Sequence, residues 1–199
     1  MTNRKSILVF LLALFSCLNF LAGNGLAATK ATSIVPQWQV NAPRSSISWA
    51  TTWAGQNISG NFANFEAAIR FDPANLGASS VVATIPMSSV RSPSREAMEN
   101  LPLADWFNVR QFPTARFEAT NFRFVSGNNY IANGTLNIKG VRYNLALPFS
   151  LNINGNVATM DARTTLDRVN LKIGLDSDSS AEWVARQVQV NIHIVATRA

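Results

Sequence analysis

The sequence is almost without the side chains that most enzyme and metal sites need. Its 199 residues include one cysteine, Cys17, and one histidine, His193. Cys17 lies within an N-terminal segment that has the pattern of a signal peptide. The chain without that segment has no thiol, which excludes disulfides, thiolate metal sites and a cysteine nucleophile. A single histidine excludes a histidine-based zinc cluster, and no G-x-S-x-G motif accompanies it. Carboxylate pairs for glycoside hydrolysis stay open, but no pair stands out. We therefore expect no enzyme, no catalytic residue and no metal.

Runs of like charge are also missing. The chain has 17 Lys and Arg against 11 Asp and Glu, a formal net charge of +6, and the basic residues are scattered and mostly arginine. Without a Lys/Arg run, the sequence gives no support for a nucleic-acid partner. A mildly basic domain can still meet an anionic membrane surface.

One apolar segment opens the chain. Arg4 and Lys5 precede the apolar run Ile7–Phe15, and Gly25-Leu26-Ala27 supplies small residues for a cleavage site. This pattern predicts a signal peptide over residues 1–27, cut after Ala27, and therefore a secreted protein. Two alternatives stay open. One is an uncleaved anchor, for which the run is short, and the other is a lipoprotein site at Cys17.

Helical periodicity is scarce, and alternation with a period of two dominates after a short tail, residues 28–36. In "VRYNLALPFSLNI" the odd positions Tyr143, Leu145, Leu147, Phe149 and Leu151 are apolar. Similar alternation in "ARFEATNFRFV" places Phe117 and Ala119 on one face and Phe122 on the other. Only "SPSREAMENLP" predicts a helix, capped by Ser92 with Pro93 in the first turn.

Many strands of even spacing with tight turns predict one all-β domain over residues 37–199. Strands of about ten residues favour an antiparallel barrel of about eight strands with one short helix. An outer-membrane barrel is the weaker alternative, because Arg70, Arg116 and Glu118 occupy strand centres on the face that would meet lipid.

Two polar features of the sequence are predicted to be solvated rather than catalytic or metal-binding. His193 falls on the polar face of the last strand, which predicts a solvated side chain rather than a catalytic base. Asp176 and Asp178 in "LDSDSS" resemble half of a calcium loop, but the following glycine and the distal glutamate are missing. A solvated loop is the better interpretation.

Several stretches together resemble the YceI-like family of periplasmic lipid-binding proteins. The most specific are "FNVRQFPTARFEAT" and "GTLNIKGV", and the resemblance extends from Trp38 to the C-terminus. It implies an extended lipocalin-like barrel that binds a polyisoprenoid or an isoprenoid quinone, and a homodimer as one state of the protein. The late family motif R-x-D-F-G-I-G runs here from Arg168 to Gly174, with Lys172 in place of a glycine.

In the barrel that the family resemblance implies, the alternation of apolar and polar residues along the strands predicts an apolar ligand channel. The candidate lining residues are Trp49, Phe65, Ile69, Phe71, Ile85, Phe117, Leu136, Ile138, Leu145, Leu147 and Phe149. Arg142 and Arg168 are candidates for an anionic head group, with a solvated surface position as the alternative for each. Each buried methylene of a prenyl tail would contribute about 0.8 kcal/mol.

Two alternatives to a lipid carrier stay open. One is a redox module that presents a quinone to a membrane cytochrome. The other is a structural or stress-related protein whose barrel is filled by its own side chains, since 12 Phe and 5 Trp could form a solid core.

Overall fold

The structure, a computed structural model, describes residues 35–199. The predicted signal peptide, its cleavage site after Ala27 and Cys17 lie outside the described residues, as does most of the predicted tail. The first strand begins at Gln37, where the sequence analysis placed the start of the domain.

Within the described residues the chain forms eleven strands and two short α-helices. The strands are β1 (Gln37–Val40), β2 (Ser46–Trp53), β3 (Gln56–Phe62), β4 (Glu66–Arg70), β5 (Ser80–Pro86), β6 (Val90–Arg91), β7 (Thr114–Ser126), β8 (Asn129–Ile138), β9 (Val141–Asn154), β10 (Val157–Asp167) and β11 (Gln187–Arg198). The helices are α1 (Arg95–Asn100) and α2 (Leu175–Asp178). The prediction of an all-β chain is confirmed.

Eight of these strands close into an antiparallel barrel in the order β1, β4, β5, β7, β8, β9, β10, β11. The ring closes because β1 pairs with β4 on one edge and with β11 on the other. Along one of its edges, β11 pairs with two different strands. It pairs with β1 through Ala196–Arg198 and with β2 through Gln189–His193. The branch β2–β3–β6 therefore splays from the ring, and the predicted eight-stranded barrel is confirmed.

The two ends of the barrel differ in their connections. At the end that we call the base, tight turns join β7 to β8 and β9 to β10. The other end, the mouth, has two long connections, residues 87–113 and residues 168–186. The β2–β3 and β8–β9 turns also lie at the mouth, so most of the irregular backbone gathers there.

Both helices lie in the mouth connections and differ from the sequence-based prediction. α1 is capped by Ser94, whose Oγ accepts a hydrogen bond from the Ala97 N–H at 3.1 Å. Ser92, the predicted cap, instead accepts from the Ser94 N–H. The helix thus starts two residues late, and α2 was not predicted.

The inner face of β7 also differs from simple alternation. A register shift between Ala119 and Asn121 inserts one extra residue and sets Phe122 opposite Ala132. Such a bulge reverses the alternation beyond it. The prediction that Phe122 points away from the face of Phe117 was therefore wrong, and Phe122 joins the interior.

Among residues 35–199, no helix is long and apolar enough to cross a membrane.

Candidate functional site

An apolar bore runs through the barrel interior. It has a volume of about 230 Å³, and every lining residue except Ser80 and Thr164 is apolar. Ten of the eleven residues predicted to line a channel lie on it: Phe65, Ile69, Phe71, Ile85, Phe117, Leu136, Ile138, Leu145, Leu147 and Phe149. These side chains meet because inward positions recur every second residue on neighbouring antiparallel strands.

The base of the bore is lined by aromatic side chains. Phe71 makes edge-to-face contacts with Phe122 at 5.3 Å and with Tyr130 at 5.6 Å between ring centroids. Tyr130 stacks on Phe149 at 5.5 Å. Trp38 is held against this cluster because its Nε1 donates to the Phe71 carbonyl at 2.9 Å. The aromatic cluster therefore narrows the bore at the base.

A second cavity lies in the mouth and has a volume of about 340 Å³. Four of its lining residues also line the bore, namely Phe62, Ile138, Leu166 and Val190. The two cavities therefore adjoin one another and share these four side chains in their walls. We call the upper one the mouth cavity.

Tryptophan dominates the wall of the mouth cavity. Trp49, Trp53, Trp106 and Trp183 all line it. The prediction placed Trp49 on the channel, and the structure places it here rather than on the bore. Trp183 is 62% exposed and forms part of the rim. Tryptophan combines a large apolar surface with one N–H donor, which suits a boundary between an apolar chamber and water.

Arg168 lies beneath the mouth and is 2% exposed. Its Nη2 donates to Asp178 Oδ2 at 2.6 Å, and its other N–H groups point at backbone carbonyls. The acceptors are the carbonyls of Ile173, Gly174, Asp178, Val184 and Ala185. The alternative of a solvated surface position was wrong for Arg168.

Asp178 is buried with Arg168 and does not belong to a solvated loop as predicted. Burial raises the pKa of its carboxyl, but the backbone N–H groups of Val184, Trp183 and Glu182 and the charge of Arg168 lower it more. The net result is a pKa below the ordinary value of 3.8. Asp178 is therefore a carboxylate that anchors the 168–186 connection.

A second set of polar contacts joins the two mouth connections. The Asp105 carboxylate accepts from the N–H groups of Asp176 and Ser177 at 2.8 and 3.0 Å, and from Ser177 Oγ–H at 2.5 Å. Lys139 reaches over from the β8–β9 turn and donates to the carbonyls of Asp105 and Lys172. Burial opposes ionisation of Asp105, but these donors and Lys139 outweigh it and lower its pKa below 3.8.

The remaining polar candidates lie on the outer surface. Arg142 is exposed on β9, opposite Asn137 on β8, on the face that points away from the bore. His193 pairs with Asp161 at 2.7 Å, and both side chains are largely open to solvent. Within residues 35–199, no group of three or more His, Cys, Asp or Glu side chains is placed to hold a metal ion.

Comparison with known families gives the class of the domain. A family model described as YceI-like domain matches residues 38–196, most of the described chain. The chain belongs to the YceI-like family. The resemblance argued from "FNVRQFPTARFEAT" and "GTLNIKGV" is thereby confirmed.

Curated relatives of this YceI-like chain match over shorter stretches. A UPF0312 protein of Azotobacter vinelandii is 33% identical over 82 residues, 41% of this chain and 43% of the relative. One from Pseudomonas paraeruginosa is 32% identical over 97 residues, 49% of this chain and 50% of the relative. The chain thus spans about half the length of the curated relatives it matches.

Solved structures match over more of the YceI-like chain. BcnA of Burkholderia cenocepacia superposes with a TM-score of 0.76 and 28% identity, covering 80% of this chain and all of that one. A polyisoprenoid binding domain from Saccharophagus degradans gives a TM-score of 0.66 at 10% identity, covering 82% and 99%. The second likeness shows a shared fold.

Several lining residues of the YceI-like barrel were absent from the prediction. They include Trp38 on β1, Phe122 on β7, Met160 on β10 and Ile192 on β11. The alternation of β10 and β11 contained the signal for Met160 and Ile192, since both strands pair residue by residue over their full length. The signal for Phe122 was hidden by the bulge in β7.

Proposed function

We propose that this YceI-like protein binds an amphiphilic isoprenoid lipid, with the prenyl tail in the bore and the head group in the mouth cavity. The observation that carries the proposal is an apolar bore on whose wall, among the described residues, Ser80 and Thr164 are the only polar ones. A bore of this kind matches a long apolar chain, which has no other shelter in water. The polyisoprenoid binding domain from Saccharophagus degradans has the same fold and supports the choice of ligand class.

A barrel filled by its own side chains is disfavoured by the same geometry. The bore and the mouth cavity have volumes of about 230 and 340 Å³, whereas close-packed protein cores leave few voids larger than a water molecule. Binding, rather than catalysis, is the role we propose. A periplasmic location is proposed from the signal-peptide pattern of residues 1–27 together with the family resemblance, and a membrane cytochrome partner and a homodimer stay predictions.

The proposal is tested by blocking the bore. Ala67 on β4 and Ala83 on β5 are cross-strand partners that both line the bore. The Ala67→Phe variant should fill the bore with an apolar ring and reduce bound lipid at least tenfold. Bound lipid is measured by mass spectrometry of organic extracts from protein purified from its native compartment.

The adjacent residue provides a matched control. Ala68 is exposed on the outer face of the same strand, so Ala68→Phe adds the same ring outside the barrel and should leave bound lipid unchanged. A second pair on β9 tests charge, with Leu147→Arg pointing inward and Ala146→Arg outward. Native-level lipid in a folded Ala67→Phe or Leu147→Arg protein, or a wild-type extract without isoprenoid lipid, would contradict the proposal.

A further inference from the structure

Two neighbouring strands of the barrel pair over only part of their length. β9 and β10 pair from their tight turn at the base up to Phe149 and Ala162. Beyond that point β9 continues to pair with β8, and β10 with β11, up to the mouth, but β9 and β10 no longer pair with each other. We call this unpaired stretch, between residues 141–148 of β9 and residues 163–167 of β10, the seam.

Pro148 explains why the pairing stops. Hydrogen-bonded pairs in an antiparallel ladder recur every second residue, and the two-residue turn at the base starts this series with Asn154 and Val157. Steps of two residues along each strand lead from there to Pro148 and Arg163. Proline has no N–H, so it cannot donate to the Arg163 carbonyl and the pair cannot be completed. The sequence of β9 therefore ends the ladder at this position.

The bore lies behind the seam. Leu145 and Leu147 on the β9 side and Thr164 and Leu166 on the β10 side all line it. Leu145, Thr164 and Leu166 are half-buried rather than buried. Along this line, side chains rather than a backbone ladder separate the bore from solvent.

Lys139 joins the two sides of the seam at its mouth end. It lies in the β8–β9 turn, and its Nζ donates to the backbone carbonyls of Asp105 and Lys172. Lys172 belongs to the 168–186 connection, which continues from the mouth end of β10. The hydrogen bond to the Lys172 carbonyl, at 2.6 Å, therefore links the β9 side to the β10 side. A contact made by one side chain opens at a lower free-energy cost than a ladder of paired strands.

We propose that the seam is the route by which the lipid tail passes into and out of the bore. β9 and β10 move apart in the mouth half of the barrel when Lys139 releases Lys172, and the ladder from Phe149 to the base stays paired as the hinge. The inference rests on the proposed function and adds how the ligand reaches its site. A tail that enters sideways is not threaded end-on past the two mouth connections. Because the seam begins at the mouth, the head group stays in the mouth cavity during this passage.

The test closes the seam with a disulfide. Residues 35–199 contain no cysteine, so introduced cysteines are the only thiols in this part of the chain. Extending the β9–β10 register sets Ala146 opposite Thr165, and both are exposed on the outer face. A closed seam would hold these Cα atoms about 5.5 Å apart, within the range of a disulfide.

The readout is transfer of a fluorescent farnesyl ester from the full protein to phosphatidylcholine vesicles. In the Ala146→Cys/Thr165→Cys variant, oxidation should slow transfer roughly tenfold, because the step that opens the site is blocked. Reduction with dithiothreitol should restore the wild-type rate. The equilibrium Kd of the ester should change much less, since uptake and release slow together.

A disulfide on the other edge of β9 is the matched control. The Asn133→Cys/Ala146→Cys variant shares one cysteine with the test variant and joins β9 to β8, where these two residues are already paired. Its oxidation should leave the transfer rate unchanged.

A second pair of variants acts on the Lys139 contact and predicts the opposite direction. Lys139→Met keeps the apolar stem but removes the donor, so transfer should become severalfold faster. Lys172→Met removes a charge nearby but keeps the accepting carbonyl, and should leave the rate unchanged.

The outcomes are distinguishable. Equal transfer rates in the oxidised seam variant and the oxidised control would overturn the inference while lipid binding, measured by Kd, stays intact. If the seam disulfide does not form, Lys139→Met decides, and an unchanged or slower rate would overturn the inference. Failure of the wild-type protein to bind the ester would overturn the proposed function and this inference with it.

Discussion

At the scale of single residues, Arg168 has the largest number of polar contacts in the mouth. It holds together three parts of the 168–186 connection, since its acceptors lie at residues 173–174, at Asp178 and at 184–185. Trp106 covers it from the other connection, with its ring centroid 5.8 Å from the guanidinium carbon. The Arg168 side chain therefore links separate segments of the mouth to one another.

Replacing Arg168 should therefore destabilise the protein. Arg168→Lys keeps the charge but loses the planar fork, and the lysine leaves several buried carbonyls unpaired. Breaking a buried pair costs about 3–5 kcal/mol, so we expect a loss at the lower end of that range. The measurement is the free energy of unfolding from urea titration.

The matched control is Arg142→Lys, because Arg142 is exposed on the outer face of β9. It should change the free energy of unfolding by less than about 0.5 kcal/mol. Equal small effects of both variants would mean that the Arg168 contacts add nothing to stability.

Lys172 shows how a local rule can be overridden. It stands where the family motif carries glycine, and its φ is +57°, in the left-handed region that side chains disfavour. The backbone carbonyl of Lys172 accepts a hydrogen bond from Lys139 Nζ at 2.6 Å. The left-handed backbone conformation therefore places this carbonyl within reach of the lysine side chain from the β8–β9 turn. The sequence motif shows that the family carries a glycine at this position, but it does not show the hydrogen bond between Lys139 and Lys172.

At the scale of elements, sequence patterns predicted the strands of the barrel far better than the mouth. Alternation is a property of each strand, so the inner faces of β4, β5, β8 and β9 could be read directly. The bulge that turns Phe122 inward depends on pairing with β8, and the helical turn containing Asp178 depends on Arg168. Both require contacts between residues distant in the chain, which alternation does not record.

The mouth connections should open before the barrel when the pH falls. Asp105, Asp167 and Asp178 all have pKa values below 3.8, and burial opposes this direction at each. At Asp167, the groups that lower the pKa against the effect of burial are the Arg186 side chain and backbone N–H groups. A folded-state pKa below the unfolded value gives stability that is complete above about pH 4 and is lost as pH falls through the folded values.

Hydrogen exchange between pH 5 and pH 2, corrected for the intrinsic rates, measures this order of events. Residues 101–113 and 168–186 should lose protection at a higher pH than β7, β8 and β9. Asp105→Asn should show less protection of the mouth at pH 7 and a smaller further loss in acid. Asp161→Asn, on the outer face, is the control and should behave as wild type; simultaneous loss across all strands would argue against a separately titrating mouth.

At the scale of the whole molecule, the two ends of the barrel differ in their connections and side chains. The base has short turns and the Phe71, Tyr130 and Phe149 cluster. Exposed apolar side chains lie at both ends, Leu103 and Trp183 at the mouth and Phe124, Val125 and Val157 at the base, so exposed apolar surface does not distinguish the ends. The aromatic cluster lies at the base, whereas the mouth has the long connections and a tryptophan at the rim of its cavity. We therefore expect a bound lipid to enter and leave at the mouth, and this end should face a membrane during exchange.

Replacement of Trp183 tests that orientation. Trp183 is 62% exposed at the rim of the mouth cavity, and tryptophan favours the interface between lipid and water. Trp183→Ser should slow transfer of a fluorescent farnesyl ester from the protein to phosphatidylcholine–phosphatidylglycerol vesicles, with a drop of severalfold in the rate. The equilibrium Kd of the same ester in solution should change much less, because only the rim is altered.

Phe124 provides the control for this prediction. It is 52% exposed but lies at the base, where it contacts Tyr130 beside the β7–β8 turn. Phe124→Ser removes a comparable apolar surface from the opposite end and should leave the transfer rate unchanged. If the two variants slow transfer equally, exchange is not oriented by the mouth, and if neither does, the rim tryptophan has no part in membrane contact.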